Sequence, residues 1–365
     1  MNKITKHCFP SGTKRRKYLD LVHIGMHVLL FDGWKSFFSR YKAYRQYSIG
    51  IKSDNKKYYF QQQEDEAKNN VDTIQKEIVE FKYKPLISII MPTWNPPEKI
   101  LTAAIESVQK QIYPNWELCI ADGNSSSKTK QVLKELARTD NRIKINFLSK
   151  NLNISENSNQ AIALASGEYI GLLDHDDELT FDALYEVVKL LQEHPEADLI
   201  YSDEDKIDEK GNRSSFFFKP DWSPDLLLSQ NYISHFGVYR KSIIDQIGGF
   251  RIGYEGSQDY DLVIRFTEQT NQIFHIPKIL YHWRMIEGSV AIDPNAKQYA
   301  YDSAIRVLSD AMNRRKIRFS DIEMNYTGAY RIRYEIIEKD TDALMKRTMN
   351  RPLPTGRMHV SMALV

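Results

Sequence analysis

The sequence predicts an α/β domain with a mostly parallel central sheet flanked by helices, preceded by a mostly helical extension. Two observations support this prediction. From Pro85 onward, short apolar runs alternate with amphipathic helical stretches, and the apolar runs end in polar or acidic turns. This alternation is typical of parallel βαβ units. Continuous apolar runs such as 86–91 are expected of strands that are covered on both faces.

The elements follow in a clear order through the first half of this region. We predict strands at 86–91, 117–121, 143–148 and 168–173, and helices at 96–112, 128–139 and 155–165. Pro96 and Pro97 suit the start of the first helix, where a missing N–H costs little. The second half is more irregular. There we predict helices at 179–194, from 258 onward and at 295–315, strands at 198–202, 233–239 and 273–283, and a loop-rich stretch at 208–232.

Composition limits the classes of protein that fit. The 365 residues are 42% hydrophobic and 12% aromatic, which is enough for a core. Two cysteines, Cys8 and Cys119, make no disulfide framework, so the reducing cytoplasm fits. The early apolar run at 21–31 is too short and too polar to cross a bilayer. We therefore expect a cytoplasmic protein without a signal peptide or a membrane-spanning helix.

Positive charge is concentrated at the start of the chain. Residues 1–60 carry thirteen Lys and Arg residues against three acids. Aromatic residues from Trp34 to Tyr44 recur at helical spacing beside several of these bases. Such a helix can lie on an anionic membrane surface, or it can pack on the body of the protein. No nucleic-acid recognition motif accompanies the charge, so we expect no nucleic-acid partner.

An acidic stretch, Asp174-His175-Asp176-Asp177, follows the predicted strand at 168–173. Carboxylates this close repel one another unless a cation lies among them. Oxygen ligands suit Mg²⁺ or Mn²⁺, which often serve a phosphate. Ligands bind parallel sheets at the carboxyl ends of the strands. The alternative is a plain acidic turn, because acids are common before helices.

Six motifs then follow one another in order. They are Ser88-Ile-Ile-Met-Pro-Thr-Trp-Asn95, Ala121-Asp-Gly-Asn-Ser125, Asn157-Ser-Asn-Gln-Ala-Ile-Ala-Leu-Ala-Ser-Gly-Glu168, Leu173-Asp-His-Asp-Asp177, Gly256-Ser-Gln-Asp-Tyr-Asp-Leu262 and Tyr281-His-Trp-Arg284. The set resembles family 2 glycosyltransferases of the GT-A fold, especially those of bacterial O-antigen, rhamnan and capsule assembly. This resemblance covers roughly residues 85–290.

The resemblance implies a Rossmann-like GT-A domain in which a sugar passes from a nucleotide-diphosphate sugar to an acceptor hydroxyl with inversion. Its predicted bounds are 85–318, with a nucleotide half at 85–178 and an acceptor half at 179–318. The basic helical extension takes 1–84 and a C-terminal tail takes 319–365.

The nucleotide-sugar site implied by the resemblance lies at the ends of the first strands. Thr93, Asn95 and Asp122 would surround the nucleoside, and Asp122 would accept a hydrogen bond from the base. Pro92 and Asn157 belong to the same group. For Asp122 the alternative is an ordinary Asp-Gly turn.

The metal and the base are also implied by the resemblance. Asp174 and Asp176 would form the Asp-x-Asp pair, with Asp176 as a metal ligand and Asp174 facing the ribose or the metal. His282 would be a further ligand of Mn²⁺ or Mg²⁺, unless it is a core histidine. Asp259 would be the general base, with Glu255 as a rival. Charge stabilisation of the first helical turn is the alternative for Asp259.

Candidate acceptor contacts are Asp203, Trp222, Glu255 and Trp283. A plain acidic turn remains open for Asp203, and core packing remains open for the two tryptophans. The Gln-x-x-Arg-Trp signature of processive synthases is absent, which favours the addition of one or few sugars. A lipid-linked saccharide at the inner face of the cytoplasmic membrane is the expected acceptor.

Other functions fit the motifs less well. A haloacid dehalogenase-type phosphatase expects its Asp-x-Asp on the first strand, and a sugar nucleotidyltransferase expects a Gly-rich basic loop there. Neither pattern is present. A non-catalytic carbohydrate- or nucleotide-binding protein on a GT-A scaffold is the main alternative from a different class.

Overall fold

The computed structural model describes residues 65, 67–286, 298–326 and 328–335. The basic helix predicted around Trp34 and its membrane contact lie outside these residues. The unit that holds the sheet begins at Val71. Its helices are α1 (Val71–Glu80), α2 (Glu98–Gln109), α3 (Ser127–Thr139), α4 (Ile154–Ile162), α5 (Ala183–Glu193), α6 (Pro224–Leu227), α7 (Lys241–Ile247), α8 (Gln258–Thr267) and α9 (Gln298–Arg314).

Eleven strands accompany these helices in the described residues. They are β1 (Ile87–Thr93), β2 (Trp116–Asp122), β3 (Ile143–Phe147), β4 (Tyr169–Leu172), β5 (Glu178–Leu179), β6 (Leu199–Ile207), β7 (Arg213–Phe217), β8 (Gly237–Arg240), β9 (Ile273–Arg284), β10 (Phe319–Tyr326) and β11 (Ala329–Tyr334). The last two form a separate antiparallel hairpin. The other nine form one sheet.

The main sheet has the order β3-β2-β1-β4-β8-β6-β9-β5, with β7 paired to β6. Strands β1 to β4 pair in parallel, as do β6 and β9. Strand β8 is antiparallel to both β4 and β6, so β6 runs in the same direction as β4. The mostly parallel sheet that the sequence predicts is therefore confirmed, with one reversed strand in its middle.

The core lies on both faces of this sheet. Along β1 and β2 every residue is buried, and neighbouring residues join different apolar clusters. Ile89 belongs to the cluster that includes residues of α2 and α5, whereas Ile90 belongs to the cluster that includes residues of α8 and α9. This is the burial expected of strands covered on both faces.

Two regions differ from the sequence-based expectation. The predicted extension at 1–84 includes α1, yet Ile74 and Ile78 of α1 pack in the core of the domain because they lie one turn apart on the same face. The predicted C-terminal tail begins at residue 319, where the structure has the hairpin β10–β11. Ile322 and Tyr330 of this hairpin are buried in the apolar cluster that includes α8 and α9. Across the described residues we find no helix that is both long and apolar enough to span a membrane.

Candidate functional site

The loops that follow β1 and β2 are joined at the carboxyl edge of the sheet. The Gly123 amide donates to the carbonyl of Thr93 at 2.8 Å. Asn95 has a positive φ of 46°. Its amide donates to Ser125 Oγ at 2.8 Å, and its side-chain oxygen accepts the Ser126 amide at 2.8 Å. These reciprocal bonds fix the backbone of the two loops at which the nucleoside is predicted to bind. A cavity of about 220 Å³ opens beside Asn95.

Asp122 lies at the end of β2 and is fully buried. Its carboxylate accepts the Ser125 amide at 3.2 and 3.3 Å, as an Asp-Gly turn would require. Close by, Asn157 donates through Nδ2 to Asn151 Oδ1 at 3.1 Å. Asn157 Oδ1 is buried and has no hydrogen-bond partner among the described residues. A buried acceptor of this kind is usually satisfied, so a ligand donor would fit it.

Three side chains converge beyond the end of β4. Asp174, Asp177 and His235 each place one potential ligand atom within 4.8 Å of the others. We call these residues the acid–histidine group. Asp174 is exposed and Asp177 is fully buried. Asp177 accepts the Arg284 amide at 2.7 Å and the Tyr281 hydroxyl at 2.5 Å.

Carboxylates are concentrated in this region. Burial and the charges of Asp176 and Asp174 raise the pKa of Asp177 well above its usual value. Burial and the charge of Asp174 raise the pKa of Asp176 as well, while His175 and His235 oppose the shift. A divalent cation would relieve this repulsion. Two carboxylates and an imidazole are a donor set that Mn²⁺ accepts, so the residues fit the predicted metal.

Two predicted metal ligands do not belong to this group. The Nδ1 atom of His282 bonds Asp205 Oδ1 at 2.6 Å, and Asp205 also accepts Arg213 Nε at 2.6 Å. Asp176 is half-buried beside the acid–histidine group. The roles that the resemblance implies for Asp176 and His282 stay predictions.

The topology explains why sequence reasoning missed His235. Strand β8 is antiparallel to β4, and Val238 is paired with Gly171 near the end of β4. The residues that precede β8 are therefore brought to the edge where parallel strands end. The His235 ring stacks on Tyr281 at 4.6 Å with an interplanar angle of 10°. A histidine before a strand carries no local signal unless the direction of that strand is known.

Asp259, the predicted base, is the second residue of α8. Asn231 Nδ2 donates to its Oδ2 at 2.9 Å. Burial, together with the charge of Asp174, raises the pKa of Asp259, while the charge of His235 and the Tyr260 amide oppose the shift. Asp174 and His235 thus act electrostatically on Asp259, which associates the acid–histidine group with the predicted base.

Asp203 is buried, and its Oδ1 accepts the Lys219 amide at 2.8 Å and bonds His275 Nε2 at 2.9 Å. An acceptor contact by Asp203 stays a prediction. The Glu255 carboxylate accepts the Gly253 amide at 3.0 Å and so fastens its own loop.

Both tryptophans, Trp222 and Trp283, pack against apolar clusters of the core, in agreement with the packing alternative. Trp283 lies 5.8 Å from the His235 ring, measured between ring centroids. Trp283 is therefore next to the acid–histidine group, while a sugar contact for either tryptophan stays a prediction.

Residues 88–248 match the family model described as glycosyl transferase family 2. The chain carries a family 2 glycosyltransferase domain. The loops after β1 and β2, the acids after β4 and His235 all belong to this domain. Asp259 and the strand β9 follow it in the chain.

Related proteins agree with this assignment. The chain is 47% identical over 233 residues to the protein y4gI of Sinorhizobium fredii, which covers 63% of this chain and 26% of that protein. It is 35% identical over 269 residues to the O-antigen biosynthesis protein RfbC of Myxococcus xanthus, covering 73% of this chain and 21% of RfbC. The chain thus spans about a quarter of the length of these relatives.

A solved structure shows the same fold. Residues 1–349 of S. aureus TarS, in complex with UDP-GlcNAc, superpose with a TM-score of 0.52 at 21% identity. The match covers 62% of this chain and 66% of that one. It supports the GT-A fold that the family 2 motifs predict.

Proposed function

We propose that the protein is an inverting, metal-dependent glycosyltransferase that moves a sugar from a nucleotide-diphosphate sugar to a saccharide hydroxyl. The observation that supports this most is the convergence of Asp174, Asp177 and His235 beyond the end of β4, inside residues that match the family 2 glycosyltransferase model. A base and a group suited to a cation at a diphosphate are the two parts that such a transfer needs.

Asp259 suits the role of general base. The acceptor hydroxyl is a weak nucleophile, and a carboxylate that takes its proton during attack on C1 allows displacement in one step. Because the pKa of Asp259 is raised, its ionised form is a stronger base than an exposed aspartate. The bond from Asn231 Nδ2 fixes one carboxylate oxygen of Asp259.

The acid–histidine group suits the diphosphate end. Asp174, Asp177 and His235 would hold Mn²⁺ or Mg²⁺, with Asp176 close by. When bound, the cation offsets negative charge that develops on the leaving diphosphate. The fixed loops at Asn95 and Asp122 would bind the nucleoside, with Pro92, Thr93 and Asn157 beside them.

The acceptor and the cellular location that we propose are based on the resemblance to glycosyltransferases of polysaccharide assembly. The name of RfbC supports a role in cell-surface polysaccharide assembly. A lipid-linked saccharide at the cytoplasmic membrane is the acceptor we propose, with the basic residues 1–60 contacting anionic lipid. A cytoplasmic location agrees with the buried, unpaired thiol of Cys119.

Turnover of a panel of UDP-, dTDP- and GDP-sugars tests the proposal. With Mn²⁺ we expect one donor to be hydrolysed or transferred, and EDTA to abolish the reaction. Proton NMR of the transferred product should show the anomeric configuration opposite to that of the donor. A retained configuration would exclude the inverting mechanism. Metal-dependent binding without turnover, in the presence of saccharide acceptors, would favour the non-catalytic binding protein.

A further inference from the structure

A fully buried ammonium group lies close to His235. The Lys219 side chain has 0% exposure. Its Nζ donates to Glu204 Oε2 at 3.0 Å, to the carbonyl of Ile233 at 2.7 Å and to the carbonyl of His235. An ammonium group has three protons, so these three acceptors use all of them.

Glu204 also binds the backbone of His235. Its Oε2 accepts the His235 amide at 2.9 Å, in addition to the bond from Lys219. One buried ion pair therefore binds both the N–H and the C=O of His235. Glu204 is also the register partner of Tyr281, on which the His235 ring stacks. Backbone and ring of His235 are thus fixed from β6 and β9.

Stability alone does not account for this pair. Removing two charges from water has a high free-energy cost, and apolar replacements of similar volume are often as stable. The contacts that an apolar pair would not supply are the bonds to the peptide groups of His235.

We propose that Lys219 and Glu204 are positioning residues that hold His235 against Asp174 and Asp177. The proposal rests on the proposed function, in which the acid–histidine group binds a divalent cation at a nucleoside diphosphate. A histidine on an unsupported loop would have to be ordered when the cation binds, and affinity would fall. Residues that orient a metal ligand typically change affinity about 10- to 100-fold when they are replaced.

The test compares Lys219→Met/Glu204→Leu with the wild-type protein by calorimetry. Mn²⁺ is titrated in the presence of UDP, dTDP or GDP, and thermal unfolding is followed separately. We expect an affinity for Mn²⁺ about 10-fold lower. The melting temperature should also fall, because the peptide groups that the pair binds lose their partners. A matched control is Arg240→Met/Asp198→Leu, which removes a partly buried pair at the start of β6. That variant should bind Mn²⁺ as the wild type does.

A cycle with His235→Ala shows whether the pair acts through the histidine. If it does, adding the two substitutions to His235→Ala lowers the affinity no further. If the losses of Mn²⁺ affinity in Lys219→Met/Glu204→Leu and in His235→Ala add up in the combined variant, the positioning role is wrong. Wild-type affinity in Lys219→Met/Glu204→Leu would also overturn it. If that variant unfolds, Glu204→Gln replaces it, because it keeps the side-chain volume and weakens the hold on the His235 amide. Wild-type affinity in Glu204→Gln would then be the contradicting result. Absence of Mn²⁺-dependent binding in the wild type would instead reject the proposed function.

Discussion

Two networks built on buried ion pairs, one in each half of the domain, lie at opposite edges of the sheet. In the nucleotide half, Glu117 lies near the start of β2 and bonds Ser88 at 2.6 Å, the Ser166 amide at 2.6 Å and Lys144 at 2.5 Å. All three partners lie at or before the starts of neighbouring strands. This network is remote from the loops that carry the candidate site.

In the acceptor half, the second network lies toward the carboxyl edge. Lys219 pairs with Glu204, and Asp205 pairs with His282 and Arg213. Glu204 and Asp205 are in the second part of β6, beside the residues of β9 that contact Asp177. The difference suggests that the network around Glu117 supports the fold, whereas the network around Glu204 supports the site. The following predictions test that contrast, beginning with the largest effect.

Asp259→Asn should reduce kcat about a thousandfold, because a positioned general base contributes roughly 10²- to 10⁴-fold. Affinity for the donor should stay within about threefold, because Asp259 is assigned to the acceptor. In the wild type kcat/KM should rise with pH through a pKa above that of an exposed aspartate, since the base works when ionised. Steady-state kinetics across the acid and neutral pH range checks this. A variant that keeps the acid limb of the pH profile would show that Asp259 is not the base.

Glu117→Gln should lower the free energy of unfolding by about 2 kcal/mol at neutral pH, because charge-assisted buried bonds are lost. Although burial alone would raise the pKa of Glu117, its bonds to Lys144, Ser88 and Ser166 lower it to about 2. The stability that the carboxylate adds is thus present above pH 4.5 and lost as pH falls toward 2. Urea unfolding at several pH values measures this difference.

For Glu117→Gln the control is Glu106→Gln, which removes an exposed pair with Lys110 and should change stability by less than about 0.5 kcal/mol. Affinity for Mn²⁺ and the nucleoside diphosphate should be unchanged in both variants. A loss of affinity for Mn²⁺ or the nucleoside diphosphate in Glu117→Gln would show that the Glu117 network also supports the site.

Asp176→Asn should raise the free energy of unfolding by about 1 kcal/mol at neutral pH without metal. The pKa of Asp176 is raised on folding, so its ionisation above that pKa costs stability, and the amide removes this cost. The gain should shrink as pH falls toward the ordinary pKa of 3.8 and vanish about one pH unit below it, where the carboxyl is protonated in both states. Thermal unfolding in acidic and neutral buffer compares the variant with Asp245→Asn, an exposed control. A destabilised Asp176→Asn at neutral pH would argue against the repulsion.

Gly123→Ala should have the smallest effect on stability, about 1 kcal/mol or less. An added Cβ would lie 2.4 Å from Asn151 Oδ1 and 2.9 Å from Asn157 Nδ2, and both amides can turn away. Donor affinity should fall because Asn157 is displaced. Adding Asn151→Ser should restore it, and calorimetry with the nucleoside diphosphate measures both variants. Unchanged donor affinity in Gly123→Ala would show that Asn157 does not contact the nucleotide.

The nucleotide half was more predictable from the sequence than the acceptor half. Asn95, Asp122 and Asp174 follow parallel strands, and the alternation of strands with helices is enough to place the ends of such strands at one edge. His235 was missed because it precedes β8, whose reversed direction is set by pairing with β4 and β6 and not by local sequence. The burial of Asp203 could not be predicted from the local sequence either, because its partners, Lys219 and His275, are 16 and 72 residues away in the chain.

Locating the metal tests the central claim most directly. Crystals grown with Mn²⁺ and the nucleoside diphosphate that binds would be measured at the manganese absorption edge. We predict that the anomalous peak places Mn²⁺ next to the diphosphate, bound by His235 and by Asp174 or Asp177. Mn²⁺ bound by His282 and not by His235 would contradict the assignment of the acid–histidine group. The protein would then still be a metal-dependent transferase.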